Sequence, residues 1–206
     1  MLEFFVASLI VGIAPGPDNL FVLAQSAMHG ARAGFCVILG LCTGIVVQTG
    51  LLVAGVSALI VASPTAFFVL QCLGAAYLLY LAYKSFQVRA NSALAPREND
   101  LGQERLSGRK LYLRGIVMNL SNPKAILFLL SFIPPAVKME RPIHPSLQIA
   151  ILGAEFIVAT MIVFGTVAIL AGAVKKFLSN SPKATRNLNW FSGVVFVLLA
   201  FALFLV

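Results

Sequence analysis

The sequence predicts an all-α membrane protein, with six transmembrane helices arranged as two inverted three-helix halves and helices 1 and 4 broken. Three observations predict it. Of 206 residues, 60% are apolar and only 11% charged, whereas a soluble domain carries about 45–50% apolar and about 25% charged residues. Six apolar runs approach or exceed the roughly 20 helical residues needed to cross about 30 Å of hydrocarbon. The first run of each half carries proline in its interior. A chain so poor in charge cannot cover its own surface in water, which excludes a soluble enzyme, a nucleic-acid binder and a disordered chain. Its first partner is the lipid bilayer.

The spans fall at about 4–28, 33–62, 65–83, 112–135, 147–174 and 188–206. The first is a span and not a signal peptide, because Glu3 is its only charge before Asp18 and the first basic residue is Arg32. The second is long and ends before Ser63-Pro64, which implies tilt or overhang. The third and sixth contain no acidic or basic residue. No ten-residue alternation of the outer-membrane barrel kind is present, so the spans are helices.

The extended polar segment is 87–111, a solvated cytoplasmic linker between a first half, 1–86, and a second half, 112–206. Three spans per half is odd, so the second half starts on the opposite side from the first. Related halves of that kind form an inverted repeat, a transporter architecture. Alternate connections carry twelve Lys and Arg on one side and two on the other. The rich side is cytoplasmic, and both termini face outward. The net charge of +8 is explained by these loops and does not call for nucleic acid. Cys36, Cys42 and Cys72 lie in apolar runs without CxxC or zinc spacing. Neither a metal site nor a cofactor is indicated.

Span 1 contains Ala14-Pro15-Gly16-Pro17-Asp18-Asn19. Pro15, Gly16 and Pro17 cannot sit inside an uninterrupted helix, but Pro17 suits the first residue of a new half-helix. Span 4 contains Asn119-Leu120-Ser121-Asn122-Pro123-Lys124, where Ser121 or Asn122 can cap a helix opening at Pro123. Corresponding interruptions in two halves point to a midplane binding site.

Asp18, Lys124 and Glu155 all count to within several ångström of the bilayer middle. Unpaired charges there are costly, so one cation and two anions at common depth suggest mutual pairing around a wet cavity. The bland alternative is an ion pair that only locks the bundle. Gln25 lies seven residues after Asp18 on the same helical face, as Ser131 does after Lys124; Glu155 and Thr166 are also nearly aligned. Gln48 and Gln71 suit interhelical ties, and Gly40-xxx-Gly44 signals close helix approach. The candidate substrate and proton site is therefore Asp18, Asn19, Gln25, Asn122, Lys124 and Glu155, with no catalytic residue.

Pro15-Gly16-Pro17-Asp18 and Asn122-Pro123-Lys124-Ala125, in this order around a polar central loop, resemble the LysE/RhtB-type amino-acid exporters of bacterial inner membranes. Smaller cues agree: Gly34, Gly40 and Gly44 in span 2, Gly74-Ala75-Ala76-Tyr77-Leu78, and Gly115 before the second break. The resemblance covers essentially the whole chain. It implies secondary-active export of amino acids, driven by proton influx, with the substrate left open; Glu155 is carried on physical grounds alone. The alternative is a metal-cation exporter of a related membrane family, for which two dispersed carboxylates and three dispersed cysteines are a poor ligand supply. A membrane enzyme would need a Cys pair, a Ser/His/Asp set or HExxH, and the sequence has none. His29 and His144 sit at membrane edges, where an interfacial role outweighs catalysis. A homo-oligomer is left open.

Overall fold

Proline, glycine and capping side chains set the helix boundaries. The computed structural model describes residues 2–62, 64–87, 107–138, 140, 142–173, 182–202 and 204. Among these, the element order is α1 (Leu2–Ile13), α2 (Pro17–His29), α3 (Ala31–Ala62), α4 (Pro64–Gln87), α5 (Gly108–Ser121), α6 (Pro123–Ala136), α7 (Pro145–Ile169) and α8 (Pro182–Ala202). Five of the eight (α2, α4, α6, α7 and α8) begin at a proline, where the missing N–H costs the helix nothing. Gly30 ends α2 with φ of 85°, a left-handed conformation that glycine takes without strain, so α3 starts at the next residue.

Both predicted interruptions are present. α1 and α2 are bent by 61° at Ala14–Gly16, and α5 and α6 by 56° at Asn122. α3, from Ala31 to Gly55, and α7 are each long and apolar enough to cross a membrane; with each bent pair counted as one span, the described residues supply up to four. The 32 residues of α3 would reach about 48 Å, which bears out the overlong second span. Most of the polar linker lies outside the described residues, but its end does not. Ser107 accepts the Lys110 N–H and starts α5 at Gly108, four residues before the expected span. The fifth run is helical to Ile169, turns at Leu170 and is helical again over 171–173; its expected end at 174 lies outside the described residues.

α3 runs through the centre, packed on α5, α7 and α2, while α1 packs on α7 and α4 on α8. Gly40 and Gly115 allow α3 and α5 their closest approach: a Cβ on Gly40 would stand 2.9 Å from the Gly115 Cα and run into the Tyr112 carbonyl. Gly44 faces Asn119 in the same way, with only 2.6 Å to spare for a Cβ before Oδ1. Without a hydrophobic drive between helices in lipid, such small-residue contacts and their dispersion energy hold the pair together. Two apolar cores result. One joins α1, α3, α4, α6, α7 and α8 around Phe128, Ile149 and Phe196; the other joins α2, α3, α5 and α7 around Val22, Ile38 and Leu41. Outward, Leu39, Val46, Leu51, Val117, Leu198 and Phe201 remain exposed, as a bilayer-facing surface requires.

Candidate functional site

The two helix breaks meet. α6 opens at Pro123, with Asn122 as its N-cap, and the Asn122 side chain makes two contacts. Its Oδ1 accepts the backbone N–H of Lys124 at 3.0 Å, and its Nδ2 donates to Asp18 Oδ2 at 2.6 Å. The cap of one half-helix thus holds the carboxylate in the first turn of the other. Ser121, the alternative cap, is exposed.

Lys124 crosses in the reverse direction. Its Nζ donates to the carbonyls of Ala14 at 2.9 Å and Val11 at 3.2 Å, at the C-terminal end of α1. That end carries the negative pole of the helix and its unsatisfied carbonyls, so it attracts a cation. The expected direct pairing of Lys124 with a carboxylate is not what forms: backbone carbonyls take the ammonium, and an amide takes the carboxylate. Gly16 makes room, because a Cβ there would lie 3.1 Å from Nζ. Asn19 completes the first break by donating to the Gly12 carbonyl at 2.7 Å.

These residues enclose a cavity of about 20 Å³ lined by Val11, Gly12, Asp18, Asn122, Lys124 and Phe156, with Asn119 and Thr160 adding neutral polar groups. A single water needs about 10–15 Å³ of such volume. The cavity therefore has room for one or two waters and none for anything as large as an amino acid. Asp18 is only 5% exposed and Lys124 only 8%, yet Asp18 Oδ1 and Asn119 Oδ1 are buried without a partner among the described residues. Two acceptors without a partner among the described residues thus belong to side chains of residues that line a small cavity beside a cation.

Of the sequence candidates, Asp18, Asn122 and Lys124 come together at this cavity, and Asn19 lies beside it. Gln25 is buried in α2, two turns along. Glu155 is half-buried in α7 beside Phe156 but does not line the cavity, and its Oε2 has no partner among the described residues. Thr166, aligned with it in sequence, is exposed and bonds back to Ile162. Gln48 ties α3 to α5 by donating to the Asn119 carbonyl at 3.0 Å, whereas the side chain of Gln71 lies outside the described residues. His144 caps α7 through Ser146. Asn119, Thr160 and Phe156 were not singled out by sequence reasoning, since a neutral or aromatic residue in an apolar run has no signature beyond packing.

Helices long enough to span a membrane, two of them built from bent half-helices meeting at a buried polar cavity, define a membrane transporter. The chain belongs to the LysE type translocator family, whose model matches residues 9–206. It is similar to the homoserine/homoserine lactone efflux proteins of Salmonella typhi and Salmonella typhimurium (strain LT2), at 33% identity over 195 residues in each case. Those 195 residues cover 95% of this chain and 91% of each relative. No solved structure matches. The protein is a multi-pass membrane transporter and not an enzyme.

Proposed function

We propose that the protein exports amino acids or closely related small zwitterions, homoserine among them, in exchange for protons. The observation that carries this reading is the convergence of the first turns of α2 and α6 on one cavity that also contains Asp18 and Lys124. The first helical bonds run from Leu20 to Gly16 and from Ile126 to Asn122, so the N–H groups of Asp18, Asn19 and Ala125 lie outside both ladders. Such N–H groups and positive dipole ends are a seat for a substrate carboxylate, and Lys124 adds a full charge. Asp18 is the seat for the ammonium group. One carboxylate that takes either a proton or a substrate ammonium gives antiport without a separate linkage device. Asn19, Asn122 and Gln25 are supporting polar groups, and Glu155 is a second protonatable carboxylate outside the cavity. The names of the relatives support efflux of a small amino acid, and the family does not favour a metal cargo.

The same reading takes the architecture as six spans in inverted halves, with α4 and α8 as the third and sixth. Two features support it. The bend angles of the two broken pairs nearly match, and the packing is reciprocal: α1 lies on α7 as α5 lies on α3. The twelve-to-two distribution of Lys and Arg supports an orientation with both termini outside the bacterial inner membrane, and with α2 ending and α5 beginning on the cytoplasmic side.

Proteoliposomes loaded with labelled homoserine test the reading. An acidified exterior should accelerate homoserine efflux through the wild type and leave Asp18→Asn at the rate of empty liposomes. Equal acceleration by both would remove Asp18 from the coupling.

A further inference from the structure

The cavity is too small for an amino acid, so substrate reaches it only by a route that widens along one of the surrounding helices. The two half-helices leading away from it differ sharply in chemistry. Beyond Lys124, the buried face of α6 consists of Ala125, Phe128, Leu129, Ile133 and Pro134, with Ser131 as its polar member. Phe128 sits at the middle of an aromatic cluster, with ring centroids 5.6 Å from Phe4, 4.7 Å from Phe132 and 5.3 Å from Phe156. The Phe128 side of α6 is filled by these rings, while an apolar pocket of about 430 Å³ lies against Ile126, Leu129 and Leu130 on another side of the helix. Ser131 Oγ is the one α6 side-chain atom buried without a partner among the described residues.

α2 leads the other way and is lined differently. At 100° per residue, Asp18, Gln25 and His29 fall within roughly 40° of one another, and Asn19 and Ser26 form the adjoining stripe. Gln25 and Ser26 are each only 4% exposed. Asn19 Oδ1, Ser26 Oγ and His29 Nδ1 are all buried with no hydrogen-bond partner among the described residues. A serine inside a helix usually bonds back to a carbonyl one turn earlier; Ser8 and Ser192 do so here, and Ser26 does not. Its hydroxyl instead abuts Gly34 on α3, where a Cβ could not be accommodated. Eleven residues separate Asp18 from His29, a rise of about 16 Å, or half the hydrocarbon thickness.

We propose that the route between the Asp18–Lys124 cavity and the cytoplasm runs along this inner face of α2, past Gln25, Ser26 and His29, between α2 and the helices α3 and α7 on which it packs. Unpaired polar atoms held away from lipid and lined up from the site to the helix end are satisfied only when water or a hydrogen-bonding solute passes them. A small zwitterion exchanges its hydration for these groups as it moves. The face that α2 gives to the bundle is therefore divided: Phe21 and Val22 pack into the apolar core, and Asp18, Gln25 and Ser26 supply the polar edge that forms the solute path.

The proposal rests on the export reading for its direction, and thiol accessibility separates the two. Ser26→Cys, His29→Cys and Ala24→Cys are each made in a background carrying C36A, C42A and C72A; Ala24 lies on the opposite side of α2 at the depth of Ser26. Inside-out membrane vesicles are treated with a membrane-impermeant methanethiosulfonate, which reacts with hydrated thiolate. The S26C and H29C proteins should label at least about tenfold faster than A24C, since only a thiol in water ionises readily. Modification at either position should block homoserine efflux. Labelling of S26C as slowly as A24C overturns the route even if H29C, at the helix end, labels rapidly; Gln25→Cys replaces S26C if that protein does not reach the membrane. If the wild type fails to move homoserine while S26C and H29C still label rapidly, the substrate reading fails and the route stands.

Discussion

Lys124 Nζ lies 2.9 Å from the carbonyl oxygen of Ala14, a residue 110 positions earlier in the chain, and this contact joins the two helix breaks. The ammonium sits where α1 ends, so the helix pole partly balances it without a carboxylate partner. The carboxylate of Asp18 is thereby left to Asn122 and to whatever enters the cavity. A cation that binds the scaffold and faces the cavity has two separable roles.

Lys124→Met should expose both. It removes the donors to Val11 and Ala14, and a net loss of about 1.5–3 kcal/mol per charged hydrogen bond predicts a clear fall in thermal stability in detergent. For binding, calorimetry should find carboxylate-bearing substrates weakened far more than their amide analogues. Equal weakening of acid and amide would leave Lys124 as a structural clasp only.

Asn122 separates the cap from the carboxylate contact. Asn122→Ala loses the N-cap, at a cost of about 1 kcal/mol, and removes the amide that donates to Asp18. Asn122→Asp keeps a capping oxygen but places a second carboxylate where the 2.6 Å amide contact was. Two carboxylates that close cannot both ionise at ordinary cost. Unfolding measured beside efflux should therefore find N122A the less stable protein above neutral pH only if capping dominates; the expected order is N122A active at reduced rate and N122D inactive. An N122D protein that transports as well as N122A would deny the Asp18 contact any part in the mechanism.

The breaks were legible because proline and asparagine state their positions directly: α2 starts at Pro17, α6 at Pro123, and Asn122 caps as its side chain allows. Gly40 and Gly44 likewise announced the close face of α3. The partners of Lys124 were not legible. A backbone carbonyl has no signature in sequence, so counting charges suggested a carboxylate instead. Glu155 shows a second limit. Counting residues along α7 fixes depth but not which side of the bundle a side chain meets, and Phe156, one position on, is the residue that reaches the cavity. The wet face of α2 was half visible through Asp18 and Gln25; Ser26 and His29 look ordinary until their missing partners are known.

Gly40→Val should prevent assembly of α3 on α5. The first carbon of the new side chain already meets the backbone of Tyr112 and Gly115, which cannot rotate away. Gly50→Ala on the same helix meets nothing within 4 Å and should improve helix propensity, by up to about 1 kcal/mol. Yields of monodisperse protein after size exclusion should fall steeply for G40V and hold for G50A. A well-behaved G40V protein would mean that the α3–α5 approach is looser than described.

Phe128→Ala tests the filled side of the cavity. Its ring is 1% exposed and touches Phe4, Phe132 and Phe156, so truncation leaves a void bounded by α1, α6 and α7. In soluble cores a Phe→Ala change costs about 3–5 kcal/mol; in lipid the water-transfer part is smaller, and lost dispersion contacts carry more of the effect. The void opens beside Phe156, which lines the polar cavity itself. The expected outcome is therefore a change in coupling as well as in stability. Labelled homoserine should leak from F128A proteoliposomes without a pH gradient, and the melting temperature should drop. Phe128→Leu refills most of the volume and should restore tightness before it restores full stability. An F128A protein that is destabilised but leaves homoserine retention unchanged would make the aromatic cluster a packing core with no part in closing the site.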